Sequence, residues 1–183
     1  MASASPRRKE LMLALGYEIE VIPSKVEEVF PENLALEKVP EYLAELKASS
    51  LANQYPLRTI VAADTVVILN KEILGKPTDH KNAVDMLKKL SGKRHEVITG
   101  VCVCYKNNKE TFSDLTEVYF KPLNDSEIDY YVTRCEPFDK AGAYGVQEWI
   151  GYIGVEKMVG SFYNVMGLPV NKVYETLNKI TYY

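Results

Sequence analysis

The 183-residue sequence predicts an α/β protein, a sheet flanked by helices. Three observations carry this. Residues 59–69 read Thr-Ile-Val-Ala-Ala-Asp-Thr-Val-Val-Ile-Leu, a run apolar enough to be a strand covered on both faces. Residues 96–105 alternate through Val97, Thr99, Val101, Val103 and Tyr105, and Thr116, Val118 and Phe120 continue a partner strand. Leu43, Lys47 and Leu51, then Ala83, Met86, Leu87 and Leu90, then Val170, Val173, Tyr174, Leu177 and Ile180 recur at helical spacing. The last of these predicts a C-terminal helix that packs on the sheet.

The totals bound the answer further. The length fits one domain, residues 1–183, with a core large enough to divide into two lobes. Hydrophobic content of 46% and charged content of 26% are those of a globular chain. A net charge of −3 argues against a nucleic acid polymer or an anionic membrane as partner. No apolar run approaches the roughly 20 residues of a membrane span. Cys102 and Cys104 lie two apart on a strand, about 7 Å, which is poor disulfide geometry. Reduced cysteines fit a cytoplasmic protein.

In chain order, Ser5 and Pro6 open a first helix, with the serine as cap and Gly16 as stop. Arg7, Arg8 and Lys9 then place three cations at the positive end of the helix dipole. Two readings fit: a solvated basic turn, or an anion site where backbone N–H groups and arginines converge. Residues 17–22 read as a strand that ends at Pro23. The acidic loop carrying Glu27 and Glu28 reads as solvated. Pro40 opens a helix to about Asn53, on which Lys47 shares a stripe with two leucines; it either snorkels to water or leans beside the sheet. Asn70-Lys71 turns a hairpin. In Gly75-Lys76-Pro77 the proline holds Lys76 extended. Thr78 or Asp79 caps the next helix, and Gly92 stops it. Asn107-Asn108 turns the chain again. Asn124 with Glu127 makes a capping box for a helix to about Arg134. Residues 139–147 carry two glycines and two alanines among polar residues, so a ligand or another backbone can come close. Residues 150–159 read as a strand or hairpin.

Asp64, in the middle of the 59–69 strand, is the anomaly. A carboxylate there costs several kcal/mol, roughly, unless hydrogen bonds, a cation or water meets it. It either ties down a neighbouring loop or forms the floor of an active site. No phosphate-binding P-loop, dinucleotide glycine fingerprint or zinc-ligand cluster is present. With His80 and His95 the only histidines, a histidine-based triad is not expected. What remains is a set of cations (Arg7, Arg8, Lys47, Lys76, Lys140) and carboxylates (Glu28, Asp64, Asp139). Cations suit phosphate oxygens, and carboxylates suit Mg²⁺ or the activation of a water. Together they suggest metal-assisted hydrolysis of a phosphoanhydride.

Ala2 to Leu11, 62–67, Gly75-Lys76-Pro77, Leu90-Ser91-Gly92 and Thr99-Gly100-Val101 stand in the order of a known pattern. It goes on through Glu136-Pro137, Asp139 to Gln147, Gly160-Ser161 and Gly167-Leu168-Pro169. In these blocks the chain resembles the Maf nucleoside-triphosphate pyrophosphatases, relatives of the inosine-triphosphatase-like fold. The resemblance implies a bent mixed sheet between helices, with two lobes around a central cleft. It implies conversion of a nucleoside triphosphate to the monophosphate plus pyrophosphate, with Mg²⁺ or Mn²⁺. Asp64 matches the family's catalytic aspartate. Ser3, Arg7, Arg8, Glu28, Lys47 and Lys76 match its substrate or metal contacts, with Asp64 and Glu28 on the metal. Lys140 is counted with the substrate contacts. Arg7, Thr65 and Gln147 match the branch acting on dTTP and UTP, and the chemistry is sensible, since a glutamine amide can donate to O4 and accept from N3–H. The alternatives are a 7-methyl-GTP pyrophosphatase and a nucleotide-binding regulator of cell division or septum formation. A homodimer is compatible with the resemblance. The family's pattern has several apolar residues before the Ala-Ser block, and here only Met1 precedes it.

Overall fold

The computed structural model describes residues 1–181. Among them, five strands form one sheet in the order β2-β1-β3-β4-β5. These are β1 (Ile60–Leu69), β2 (Glu72–Leu74), β3 (Arg94–Tyr105), β4 (Asn108–Phe120) and β5 (Val155–Val159). Seven α-helices accompany them: α1 (Pro6–Ala14), α2 (Val39–Ala52), α3 (His80–Leu90), α4 (Asp125–Cys135), α5 (Trp149–Gly154), α6 (Phe162–Val165) and α7 (Val170–Thr181). The predicted α/β class is what the chain adopts. β1 is buried along its length except at half-buried Thr65, as a strand covered on both faces requires. The chain forms two compact units. Among the described residues the first comprises 1–65, 99–114 and 167–181, and the second 66–98 and 115–166.

In the first unit, α1 has Pro6 in its first turn, but Ser5 makes no side-chain cap, contrary to expectation. The Ser5 N–H instead donates to Ser3 Oγ at 3.3 Å. The helix ends as predicted: Gly16 N–H donates to the Leu13 carbonyl and Tyr17 N–H to that of Met12, the paired bonds of a Schellman close. Residues 17–22 are not a strand. Their ladder is too sparse, with Met1 N donating to the Glu20 carbonyl at 2.6 Å and Ile22 N to that of Met1 at 3.0 Å. Ala2 N in turn donates to the Val61 carbonyl at 2.8 Å, and so ties residue 2 to β1. The predicted helix from Pro40 is α2, which buries Leu43, Ala44, Lys47, Ala48 and Leu51. It lies so close to β3 that a Cβ on Gly100 would fall 2.2 Å from the Glu41 nitrogen. Only glycine fits there. Cys102 and Cys104 are buried in this unit's core as free thiols, their sulfurs 3.7 Å apart. On α7, Val173, Leu177 and Ile180 are buried, whereas Tyr174, predicted on the apolar stripe, is exposed.

The second unit begins with the expected hairpin, where Leu69 pairs with Glu72 across Asn70 and Lys71, both at positive φ. Asp79 caps α3 by accepting from Asn82 N. The β3–β4 turn falls at Lys106 and Asn107, one residue before its predicted place, with Lys106 at φ 52°. The capping box of Asn124 and Glu127 on α4 is present. Residues 150–159 divide instead of forming one strand or hairpin. Trp149–Gly154 is helical, and only Val155–Val159 pairs, antiparallel to β4. The buried cluster of this unit includes Leu87, Leu90, Ile128, Tyr131, Val132 and Ile150.

Candidate active site

The first unit gathers seven of the predicted site residues: Ser3, Arg7, Arg8, Glu28, Lys47, Asp64 and Thr65. Lys47 neither snorkels nor idles. It is buried, and its Nζ donates to Asp64 Oδ1 at 2.6 Å and lies 2.8 Å from Glu28 Oε1. Glu28 is therefore not the simply solvated acid its loop suggested. Taking both charges of a buried pair from water is costly, and removing one partner leaves the other uncompensated at about 3–5 kcal/mol. Among the described residues, nothing bonds Asp64 Oδ2.

Arg8 turns inward. Its Nε donates to the Gly167 carbonyl at 2.7 Å, Nη1 to Ser3 Oγ at 3.1 Å and to the Ala63 carbonyl at 2.8 Å, and Nη2 to Thr65 Oγ1 at 2.8 Å. Burial pulls its pKa below the ordinary arginine range; Asp64 opposes this and Arg7 adds to it. Four of five guanidinium donors are thus engaged, which offsets the cost of burying the charge. Thr65 Oγ1 also shares a hydrogen bond with Thr99 Oγ1 at 2.9 Å. Sequence reasoning had not singled out Thr99, yet a threonine at a fully buried place in an otherwise apolar alternation was the available signal.

The second unit holds Lys76, Lys140 and Gln147. Lys76 is exposed, with no ion pair or hydrogen bond among the described residues. Its turn is fixed from the loop at 139–148, because Gly142 N–H donates to the Gly75 carbonyl at 3.0 Å. Lys140 is buried and paired with Asp139 Oδ1 at 2.7 Å and Glu148 Oε1 at 3.1 Å. Glu148 Oε2 accepts from the Tyr131 hydroxyl, whose oxygen accepts from Gly145 N–H at 3.0 Å. Below the loop, Tyr144 hydroxyl and His95 Nε2 lie 2.7 Å apart. Burial lowers the His95 pKa to about 4 and pushes Tyr144 up. Gln147 Oε1 is buried and has no hydrogen-bond partner among the described residues. Tyr131 and Glu148 were invisible from sequence, since a tyrosine at helical spacing reads as core.

The donor set suits a divalent metal of the Mg²⁺ type. Asp64 and Glu28 already converge on one cation, the Lys47 ammonium, and such ions take one or two carboxylates with the remaining sites filled by water and phosphate. No group of three or more metal-ligating side chains occurs among the described residues. An apolar groove of about 200 Å³ in the first unit, lined by Met12, Tyr17, Tyr55, Ile60 and Leu177 among others, contains none of the predicted site residues. No described helix is long and apolar enough to cross a membrane.

Two carboxylates brought to one cation have the donor chemistry to hold a divalent ion together with phosphate oxygens. The family described as Maf-like protein matches residues 1–180, and the chain belongs to it. A relative from Phocaeicola vulgatus is 49% identical over 183 residues, which is 98% of this chain and 94% of its own. One from Bacteroides thetaiotaomicron is 48% identical with the same coverage. A third, from Cytophaga hutchinsonii, is 47% identical over 180 residues, 98% of this chain and 83% of its own. All three are named dTTP/UTP pyrophosphatase.

Proposed function

We infer that this chain is a nucleoside triphosphate pyrophosphatase that hydrolyses dTTP and UTP to the monophosphate and pyrophosphate. The observation that supports the chemistry best is Asp64 at the centre of β1, with Oδ1 anchored on Lys47 at 2.6 Å and Oδ2 unbonded among the described residues. Water attacks the α-phosphorus and gives its proton to Asp64 Oδ2. The bond from the α-phosphorus to the bridging oxygen breaks, and pyrophosphate leaves with the electron pair. Ser3, Arg7, Lys47 and Lys76 contact the phosphates. Arg8 adds its remaining N–H while its other donors hold Ser3 and Thr65 in place.

Asp64 and Glu28 would hold a Mg²⁺ or Mn²⁺, which when bound supplies charge neutralisation and polarises a phosphoryl oxygen. Base choice rests on Gln147, with Arg7 and Thr65. The unpaired Gln147 Oε1 is an acceptor suited to the N3–H of uracil or thymine. Cytosine offers neither that N–H nor an O4. The reading places the enzyme in the cytoplasm, as a monomer or homodimer, acting on a free nucleotide.

Pyrophosphate release across dTTP, UTP, CTP, GTP and 7-methyl-GTP, with and without Mg²⁺ or Mn²⁺, tests this. dTTP and UTP should both turn over, differing by no more than the roughly 10–200-fold that one methyl group discriminates. Mismatched hydrogen bonds can lower CTP by up to about 10⁴-fold. Equal rates on UTP and CTP, or a preference for 7-methyl-GTP, would overturn the pyrimidine assignment. Nucleotide binding without pyrophosphate release would instead favour a regulator.

A further inference from the structure

We propose that Lys140, Glu148 and Tyr131 are positioning residues that hold Gln147 in register for the pyrimidine base. The proposal rests on the reading of Gln147 as the group that meets the base. The chain from 145 to 148 is a tight turn, closed by Glu148 N–H donating to the Gly145 carbonyl at 3.0 Å. Gln147 sits inside it. One flank is fastened by Gly145 N–H on the Tyr131 hydroxyl, and the other by the Glu148 carboxylate, which receives the same hydroxyl and the Lys140 ammonium. Tyr131 has no exposed surface, so its ring is locked by the core while its oxygen reaches both ends of the turn.

Close packing makes the turn a gauge. A Cβ on Gly145 would lie 2.8 Å from Glu148 Cδ and 3.0 Å from Gln147 Nε2. The Gln147 amide therefore rests directly against the Gly145 backbone, and a shift of either flank is passed to it. Its oxygen is unpaired and held out of water, so a base N–H that reached it would gain a full hydrogen bond. This assignment also explains Lys140. Its ammonium joins Asp139 to Glu148, and through Glu148 it fixes the flank of the turn.

A double-mutant cycle on base discrimination tests the proposal. The quantity read is the ratio of kcat/KM for UTP to that for CTP, in Tyr131→Phe, in Gln147→Ala and in the double variant. Tyr131→Phe should lower the ratio about tenfold or more, the scale of one lost hydrogen bond to a charged partner. In the Gln147→Ala background the same change should move it less than twofold, because the residue it positions is gone. Glu148→Gln, which breaks the Lys140 pair but keeps an acceptor for Tyr131, should repeat the pattern and serves if Tyr131→Phe does not fold. An unchanged ratio in Tyr131→Phe and Glu148→Gln, or equal shifts in the two backgrounds, overturns the positioning role and leaves the pyrimidine reading intact, whereas an unchanged ratio in Gln147→Ala overturns the reading of Gln147 itself. A wild-type enzyme indifferent to UTP and CTP overturns both.

Discussion

The charged cluster of the first unit and the loop at 139–148 of the second solve opposite problems. In the first, the cations already carry protein partners. Lys47 answers two carboxylates, and Arg8 answers four oxygens. In the second, the brace is internal and two groups are left unengaged among the described residues, the exposed Lys76 and the buried Gln147 Oε1. Mutual neutralisation keeps a buried carboxylate in a fixed place. A scaffold that satisfies everything except its reading atoms keeps those atoms available to a ligand. Breaking a member of the first cluster should therefore damage chemistry and folding together, whereas changes in the second should damage chemistry alone.

Asp64→Asn makes the largest break. It should lower kcat by about 10²–10⁴-fold, the worth of a positioned base, with nucleotide affinity by calorimetry largely retained. A loss under tenfold would leave Asp64 a structural residue. Lys47→Met should cost about 3–5 kcal/mol in urea unfolding, because two carboxylates lose their shared cation. Adding Asp64→Asn to it should return part of that stability. Lys76→Ala should lose about 2–4 kcal/mol of transition-state stabilisation, as for donors aimed at developing charge, with the melting temperature unmoved. An unchanged kcat/KM would reduce Gly75-Lys76-Pro77 to a turn.

The smallest effect sharpens the comparison through pH. Burial holds folded His95 at about 4, below its ordinary 6.5, so between these values the unfolded chain binds more protons. Stability is full above 6.5 and declines as pH falls towards 4, by at most about 3 kcal/mol. His95→Gln should flatten urea midpoints measured between pH 7 and 4.5. A slope identical to wild type would show that His95 is not the group responsible.

The sequence made the strands and caps legible where local chemistry decides them. The hairpin at Asn70-Lys71, the capping box at Asn124 and the covered strand around Asp64 are all of this kind. It misled where tertiary context decides. Residues 17–22 alternate, but they make just two backbone bonds with Met1 in place of a ladder, and Trp149–Gly154, apolar enough for a strand, coils beside α4. Lys47 showed the same limit within the site. Its place on an apolar stripe was plain, but whether it reached water depended on Glu28 and Asp64, 19 and 17 residues away in the chain. The Tyr131–Glu148 brace left no trace in any local pattern.

The close approach at Gly100 has a mechanical consequence. The backbone of Pro40 and Glu41 occupies the space a side chain would need, so the first turn of α2 seats on β3 like a shaft on a bearing. Lys47 stands six residues beyond Glu41, about 9 Å along the axis. A tilt of about 5° at that seat would swing the ammonium by about 0.8 Å, enough to stretch its 2.6 Å contact with Asp64 to the edge of hydrogen-bond range. One absent methyl group, remote from any reacting atom, thus sets the tolerance to which the ion pair is machined.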